Sequence, residues 1–421
     1  MGRFEKIIGY EAIKEELSIA LDVMQNPEKY RKLGVKSPNG ILLNGVPGVG
    51  KTLFAREFIA ESGRKSYTIR KNKPNGAFVD YIRETFQKAA EDSPSIVFLD
   101  DMDKFANEDG DHPNAEEYVT VQACMDETKD QDVLVFATTN DLDALPESLK
   151  RSGRFDWIFT LEVPVNEDAE KIIAYYLRDK KIEENIDVVE LSRFASGYSC
   201  AKLEEVVNDA GLHAGFEGRE LISQSDLIQS CLRILFEMRS DTSLVPDKIQ
   251  REAAIHEAGH AVIAELLYPG SVTFAYISWC KNLKYDGFIR CTFTNGFMYT
   301  FEGIETGIMI DMGGKAATEV ILGKTDVGTN LDRERAYSTV RTLINDTYSY
   351  DCYVYDHETS QANREKRDKA VAVEMDRYYK KVKQLLVQNR KYLDAVIEML
   401  CEKKVVSYKD LEGLSDLRQS A

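Results

Sequence analysis

The segment GVPGVGKT, residues 45–52, most constrains what this chain can fold into. It fits the pattern G-x-x-x-x-G-K-[ST] at every fixed position. The short apolar run ILLN precedes it, and the helical pattern LFAREFIAE follows it. A phosphate-binding loop requires this order of strand, glycine loop and helix, because backbone N–H groups and the positive end of the helix surround the phosphates. The motif therefore predicts an α/β nucleotide-binding module with a parallel sheet.

Residues in and after this loop are predicted to bind ATP and magnesium. Lys51 is expected to reach the β- and γ-phosphates, and the Thr52 hydroxyl to bind the magnesium ion. The apolar run SIVFL ends in acids, so we expect Asp100 to hold magnesium and Asp101 to orient the attacking water. The amide of Asn140 could contact the γ-phosphate or that water, although a lone asparagine is more often a turn residue. The loop residues assigned to the nucleotide are Gly45, Val46, Pro47, Gly48, Val49, Gly50, Lys51, Thr52 and Leu53.

A second motif, HEAGH at residues 256–260, predicts a metal site far along the chain. The i, i+4 spacing places His256 and His260 one turn apart on one helical face, and neutral imidazole is the usual nitrogen ligand of zinc. Glu257 lies beside them, where its carboxylate could accept a proton from the attacking water. The surrounding sequence has helical apolar periodicity, with Gly259 its only poor helix former. The alternative is a helix that carries these residues on a solvated face.

Composition narrows the class of function and the compartment. A chain of 421 residues favours two or three domains. A net charge of −17 argues against nucleic acid as the main partner, because phosphate binding needs a basic surface. Seven cysteines without a CxxC pair indicate reduced thiols. No apolar run is long enough to span a bilayer, which predicts a cytoplasmic protein, or one at the cytoplasmic face of a membrane if an anchor was removed.

Periodicity predicts three domains. Alternating strand and helix patterns predict an α/β subdomain over residues 1–163, and helical patterns predict a small bundle over residues 164–240. Residues 241–421 carry HEAGH in a mostly helical domain with two strands, SVTFAYISW and GFIRCTFT. The second strand could lie at a sheet edge and pair with an extended peptide, and an ordinary hairpin strand fits the pattern equally well.

An ATP-binding loop followed by a zinc-peptidase motif in a later domain resembles the FtsH-type AAA+ zinc metalloproteases. The likeness covers nearly the whole chain and lacks only the N-terminal membrane spans of that family. The segments that carry it are GVPGVGKT, IVFLDDMD, FATTN, SGRFD, GYSCAKLEEVVNDA, HEAGH and GGKAATEVILGK, the last followed by GTNLD. The resemblance implies an AAA+ module, with a parallel sheet and a small helical subdomain, before a mostly α-helical zinc metallopeptidase domain.

The resemblance also implies roles that spacing alone does not single out. It places the third zinc ligand on Asp332 and makes Glu257 the catalytic base. Ile8 and Gly9 are expected to flank the adenine, and Arg154 to act as an arginine finger on the ATP of a neighbouring subunit. The family forms hexameric rings, so the resemblance implies a homo-oligomer, with six subunits, that acts on unfolded or tagged proteins. The implied cofactors are zinc, ATP and magnesium.

Three departures from the family pattern concern the ATPase. Asp101 replaces the family's catalytic glutamate and is one methylene shorter, and Trp157 replaces a second finger arginine. The pore loop is shortened to RKNKPNGAFVDY, in which either Phe78 or the segment KNKPNG could line the pore. The predicted function is an ATP-dependent zinc endopeptidase that unfolds and degrades proteins. The alternatives are a zinc peptidase ring with a weak or regulatory AAA+ part, and a remodelling ATPase with a structural zinc and little proteolysis.

Overall fold

The structure is a computed structural model that describes residues 4–35, 37–106, 115–165, 167–238, 247–277, 287–293, 296–324, 330–346 and 361–419. The chain divides into two compact units, Met1–Phe236 and Glu237–Ala421. Each unit encloses its own buried apolar side chains. Among the residues described, no helix has the length and apolar character needed to cross a membrane.

The first unit contains a parallel sheet with the strand order β2-β3-β4-β1-β5. Its strands are β1 (Gly40–Asn44), β2 (Lys65–Ile69), β3 (Ser95–Leu99), β4 (Val133–Thr139) and β5 (Trp157–Thr160). Its helices are α1 (Glu11–Gln25), α2 (Pro27–Arg31), α3 (Lys51–Ser62), α4 (Asn75–Glu91), α5 (Glu116–Glu127), α6 (Glu167–Leu177), α7 (Val188–Phe194), α8 (Cys200–Phe216) and α9 (Gln224–Leu235). The predicted parallel α/β sheet is confirmed.

Both faces of this sheet are covered by helices. Successive side chains of a strand point to opposite faces. Leu42 and Val135 therefore pack in one core with side chains of α4 and α5, whereas Ile41 and Phe136 pack in the other with side chains of α1 and α3. Burial on both faces explains why the central strands are continuous apolar runs in the sequence.

The carboxyl ends of the parallel strands lie at one edge of the sheet, where ligands of such folds bind. The glycine loop follows β1, Asp100 follows β3 and Asn140 follows β4. The fold thus brings the predicted nucleotide residues to one edge although they are spread over about a hundred positions of the chain.

Of the two alternatives for a pore residue, the structure contradicts Phe78. Because α4 begins at Asn75, Phe78 lies in the first turn of a helix and not in an exposed loop. Its side chain is 0% exposed, and its ring packs edge-on against Phe105 with 5.0 Å between the centroids. Helical periodicity turns Phe78 into the core together with Ile82 and Phe86. A pore role for KNKPNG stays a prediction.

The second unit is mostly α-helical, as predicted. Its helices are α10 (Asp247–Leu267), α11 (Phe301–Leu322), α12 (Asn330–Asp346), α13 (Gln361–Gln388), α14 (Arg390–Lys403) and α15 (Tyr408–Glu412). Its strands, β6 (Val272–Ile277), β7 (Gly287–Cys291) and β8 (Val405–Ser407), form an antiparallel sheet in the order β7-β6-β8.

The helix that carries HEAGH packs closely on α11. A Cβ atom at Gly259 would lie 2.3 Å from the carbonyl oxygen of Gly313, and a Cβ atom at Gly313 would lie 2.6 Å from the carbonyl oxygen of Gly259. The two backbones therefore touch at this turn. This close approach explains the glycine within an otherwise strongly helical motif, because a side chain at either position would push the helices apart.

Candidate zinc and nucleotide sites

Three predicted zinc ligands converge in the second unit. His256 and His260 lie one turn apart on α10, and Asp332 lies in the first turn of α12. The Oδ2 atom of Asp332 is 3.1 Å from Nε2 of His256 and 3.3 Å from Nε2 of His260, and the two Nε2 atoms are 3.1 Å apart. One ligand atom from each residue lies within 4.8 Å of the others. Two imidazoles and one carboxylate, with a further position open, fit a catalytic zinc ion.

Two neighbouring residues of α11 orient these ligands. The Nδ1 atom of His260 lies 2.6 Å from the carbonyl oxygen of Ile310, so the ring N–H donates to that carbonyl and Nε2 keeps its lone pair for a metal. The Oδ1 atom of Asp332 accepts a hydrogen bond from Arg335, whose Nε lies 3.6 Å from a carboxylate oxygen of Asp311. Helix α11 thus supports ligands from both α10 and α12. The sequence analysis did not identify Arg335 or Asp311.

The charges at this site suit a cation. Burial would raise the pKa of Asp332, but the interactions with His256 and His260 outweigh burial and hold that pKa well below its usual value. The carboxylate is therefore ionised, as a metal ligand must be. Burial raises the pKa of Asp311 to about 6, although the positive charge of Arg335 opposes the rise.

Glu257 lies between the histidines in sequence and next to strand β7 in space. Its side chain is buried. A Cβ atom at Gly287, the first residue of β7, would lie 2.7 Å from Cγ and 3.1 Å from Oε1 of Glu257. Among the described strands, β7 pairs only with β6. The proposed base is therefore close to the first residue of a strand at one end of the described sheet order, which agrees with the edge-strand interpretation of GFIRCTFT.

The nucleotide residues surround a cavity of about 590 Å³ in the first unit. The predicted residues that line it are Ile8, Pro47, Gly48, Val49, Gly50, Lys51, Thr52, Leu53, Asp101 and Asn140. The cavity is also lined by residues that were not predicted from the sequence. They are Tyr10, Tyr175, Tyr176, Cys200, Ala201 and Glu204. Gly9 adjoins the lining residue Tyr10, and a Cβ atom at Gly9 would lie 2.8 Å from Cγ of Asp168 on α6.

Lys51 marks the phosphate end of this cavity. Its Nζ donates to the carbonyl oxygens of Gly45 at 2.5 Å and Val46 at 3.1 Å, and to Oδ1 of Asn140 at 2.9 Å. Helix α3 begins at Lys51, and no side chain caps its first turn. The free N–H groups of that turn, one ammonium group and a cavity of this size fit the phosphates of ATP. Asn140 thus lies beside Lys51, the residue predicted to reach the β- and γ-phosphates.

The two acids directly after β3, Asp100 and Asp101, each pair with a cation of the same chain. Asp100 is 2% exposed and accepts from the hydroxyls of Thr52 at 3.2 Å and Thr138 at 3.0 Å. Its other oxygen accepts from Arg70. Asp101 pairs with Lys104, with 3.1 Å between Oδ2 and Nζ. Arg70 and Lys104 are not among the predicted residues, although the i, i+3 spacing of Asp101 and Lys104 is visible in the sequence.

The helical part of the first unit contacts the glycine loop. The N–H of Ala201 donates to the carbonyl oxygen of Gly48 at 3.0 Å, and the N–H of Tyr10 donates to Oδ2 of Asp168 at 3.2 Å. Helices α6 and α8 thereby contact both the loop and the segment predicted to flank the adenine. This arrangement gives the cavity a wall opposite the phosphate loop.

Arg154 is held within its own subunit. Its Nε and Nη2 atoms lie 3.1 and 2.9 Å from the two carboxylate oxygens of Asp126, and its side chain is 18% exposed. The hydrogen bond from Arg154 lowers the pKa of Asp126. An action on a neighbouring subunit requires Arg154 to leave this pair, so the finger role stays a prediction. Trp157 begins β5 and is half-buried.

The chain thus combines a site that fits zinc, with a glutamate beside it, and an α/β unit that carries a phosphate loop. The profile of the ATPase family associated with various cellular activities (AAA) matches residues 41–163, and that of Peptidase family M41 matches residues 243–414. The chain thus carries an AAA region and a Peptidase M41 region, and it is similar to the FtsH-type ATP-dependent zinc metalloproteases.

Three relatives illustrate the extent of the similarity. ATP-dependent zinc metalloprotease FtsH 2 of Salinibacter ruber is 29% identical over 355 positions, which cover 82% of this chain and 52% of the relative. FtsH 2 of Symbiobacterium thermophilum is 29% identical over 439 positions, covering 98% of this chain and 74% of the relative. FtsH of Thermus thermophilus is 28% identical over 439 positions, covering 97% and 70%. The chain thus spans 52% of the length of the Salinibacter ruber relative, and 74% and 70% of the lengths of the other two.

Proposed function

We propose that this protein is an ATP-driven zinc endopeptidase that unfolds and degrades protein substrates. The observation that carries the proposal is the convergence of His256, His260 and Asp332, with ligand atoms within 4.8 Å of one another. The hydrogen bond from Nδ1 of His260 to Ile310 and the ionised state of Asp332 prepare both side chains for a metal. Structural zinc sites usually close all four positions with cysteine and histidine, and this donor set does not.

Glu257 is the proposed general base and acid. Zinc, when bound, lowers the pKa of a water molecule and polarises the peptide carbonyl. Glu257 accepts the proton of the attacking water and returns it to the amine that leaves. Its burial beside His256 and Gly287 keeps this proton transfer away from bulk solvent.

Strand β7 is the proposed binding surface for the substrate backbone. This strand lies at one end of the described sheet order, and an extended peptide adds to such an edge strand through main-chain hydrogen bonds that do not depend on the substrate's sequence. The contact between Gly287 and Glu257 would hold the scissile bond close to the base. Only an unfolded segment can be extended in this way, so the proposed substrates are unfolded or tagged proteins.

ATP binding and hydrolysis at the nucleotide residues are proposed to drive the substrate towards the zinc site. Lys51 and Asn140 are assigned to the phosphates, Thr52 and Asp100 to magnesium, and Asp101 to the attacking water; the cavity and the hydrogen bonds among them support this assignment. A homohexameric ring would place Arg154 at a neighbouring subunit's nucleotide. The free thiols of five cysteines in the described part of the chain support a reducing, cytoplasmic compartment.

The proposed domain bounds are residues 1–163 for the α/β subdomain, 164–240 for the small helical subdomain and 241–421 for the peptidase domain. The ends of the two family matches, at residue 163 and residue 243, support these bounds. We expect a fragment of residues 241–421 to bind zinc and to melt in one cooperative transition. A fragment that stays unfolded with zinc present would contradict the last boundary.

Substitution of Glu257 by glutamine tests the peptidase mechanism. We expect casein cleavage to fall by roughly 100-fold or more, because general acid–base catalysis typically contributes that much. Zinc content should not change, since the ligands remain. Glu252→Gln is the matched control, because Glu252 lies on the same helix and pairs with Lys324 at the surface. Undiminished casein cleavage by the Glu257→Gln variant would exclude this mechanism.

A second function is favoured by the acids of the nucleotide site. The shorter Asp101 and the absence of an arginine at Trp157 weaken the expected machinery for hydrolysis, and both Asp100 and Asp101 are already paired with cations. The protein would then be a zinc peptidase whose AAA part binds nucleotide with slow turnover and regulates the ring. ATP turnover of the wild type and of Lys51→Ala distinguishes the two functions, since brisk turnover that Lys51→Ala abolishes contradicts the regulatory form.

A further inference from the structure

Lys104 places a second ammonium group at the phosphate end of the nucleotide cavity. It ends a short 3-10 turn that follows β3, and its side chain lines the cavity together with Lys51 and Asn140. Its Nζ is 3.1 Å from Oδ2 of Asp101. Burial lowers the pKa of Lys51, and the positive charge of Lys104 acts in the same direction. Both lysines line the same cavity, so a polyanionic ligand bound there would have two ammonium groups at its border.

The side chain of Lys104 is positively charged and largely exposed. The hydrogen bond to Asp101 raises the pKa of Lys104, so the ammonium group stays protonated at neutral pH. The side chain is 54% exposed, and a lysine has a flexible stem that can turn its charge from one oxygen to another. The same group thus borders Asp101, which is proposed to orient the attacking water.

Phosphoryl transfer redistributes negative charge over the transferred phosphoryl group and the leaving oxygen, and a cation stabilises this charge in the transition state. That cation can come from a neighbouring subunit or from the same chain. Trp157 stands where the resemblance puts a second finger arginine, and an indole carries no positive charge. Lys104 supplies a cation from the same chain at the end of the cavity where the phosphates are proposed to lie.

We propose that Lys104 is a phosphate-binding residue that contacts the terminal phosphate of ATP from within the same subunit and makes the site distinguish ATP from ADP. This inference rests on the proposed nucleotide site. The competing interpretation is a surface ion pair with Asp101, which contributes little to binding. The two differ in a measurable way, because only a contact to the terminal phosphate discriminates between the two nucleotides.

The test compares the affinities for a non-hydrolysable ATP analogue and for ADP, both with magnesium, by titration of the full chain. We expect Lys104→Met to weaken binding of the ATP analogue by about tenfold, the size of a lost charge-assisted hydrogen bond, and to change ADP affinity by less than about twofold. Lys104→Arg should retain the preference for ATP. Lys88→Met, an exposed lysine on α4, is the matched control and should leave both affinities unchanged.

Other outcomes of this titration would contradict the proposed role of Lys104. Equal weakening of both nucleotides, or no change in either, would overturn the role of Lys104 and leave it as the partner of Asp101. If the Lys104→Met variant melts at a lower temperature than the wild type, Lys104→Gln takes its place and is expected to show the same selective loss. A wild-type chain that binds neither nucleotide, and does not differ from Lys51→Ala, would overturn the proposed nucleotide site and this inference with it.

Discussion

At the scale of single residues, the zinc site depends on one glycine that is not a ligand. A Cβ atom at Gly314 on α11 would lie 2.4 Å from Cε1 of His256 and 2.5 Å from Nε2 of His260. These distances are below van der Waals contact, and both atoms belong to imidazole rings that are held by their other partners. The absence of a side chain at Gly314 therefore leaves the space in which both imidazoles lie.

Gly314→Ala is expected to weaken zinc binding by roughly tenfold or more, because the new methyl group displaces both imidazoles from their ligand geometry. Zinc retention is measured by competition with a chelator of known affinity. Gly215→Ala is the control, since a Cβ atom there meets nothing within 4 Å and the position is also helical. Unchanged zinc affinity in the Gly314→Ala variant would show that the metal is held elsewhere.

Residues that act through local spacing could be predicted from the sequence, and residues that act across the fold could not. His256 and His260 follow from one helical turn, and the glycine loop follows from its own pattern. Asp332 is 76 positions from His256, and only the family resemblance singled it out. Arg335 and Lys104 act through contacts with other side chains, and no short motif specifies such contacts.

At the scale of elements, strand β7 is the part of the second unit that we propose to bind the substrate backbone. It forms one edge of the sheet order β7-β6-β8, and its first residue, Gly287, lies against Glu257. Along one edge of an antiparallel pair, only alternate residues direct their N–H and C=O groups to the neighbouring strand. A bound peptide would therefore use only every second amide.

Substrate peptides methylated on backbone nitrogens test this geometry. We expect methyl groups on one alternate set of amides to raise the KM of cleavage by about tenfold, because each removes a main-chain hydrogen bond and introduces a clash at the edge. The same number of methyl groups on the other alternate set, the matched control, should change KM little. Equal effects from both sets would mean that the peptide does not pair with β7 as a strand.

The strands that could be predicted from the sequence are those that are buried in the structure. Strands β1, β3 and β4 are buried apolar runs and could be predicted. Strands β2 and β5 have partly exposed side chains and β8 is only three residues long, so none gives such a run. Phe78 was wrongly placed in a loop, because the preceding residues 71–74 form a polar, proline-containing segment and the start of α4 is not marked by a capping side chain.

At the scale of the whole molecule, the residues assigned to the nucleotide and those assigned to zinc lie in separate compact units. All residues assigned to the nucleotide fall within Met1–Phe236, and all residues assigned to zinc, together with Glu257, fall within Glu237–Ala421. Each unit has its own buried core. The proposed ligands of zinc and the proposed base therefore all come from the second unit.

Loss of Lys51 should separate cleavage from unfolding. Lys51 is the only proposed phosphate ligand that also holds Asn140 and the loop carbonyls, so Lys51→Ala is expected to abolish ATP turnover. We expect this variant to cleave a short fluorogenic peptide within about threefold of the wild-type rate, because an extended peptide needs no unfolding, and to degrade a stably folded protein at least about tenfold more slowly. Both rates are measured with saturating ATP and zinc, and Lys88→Ala should match the wild type on both substrates. Equal degradation of the folded protein by the wild type and the Lys51→Ala variant would show that nucleotide hydrolysis does not drive substrate entry, and would favour the regulatory form of the AAA part.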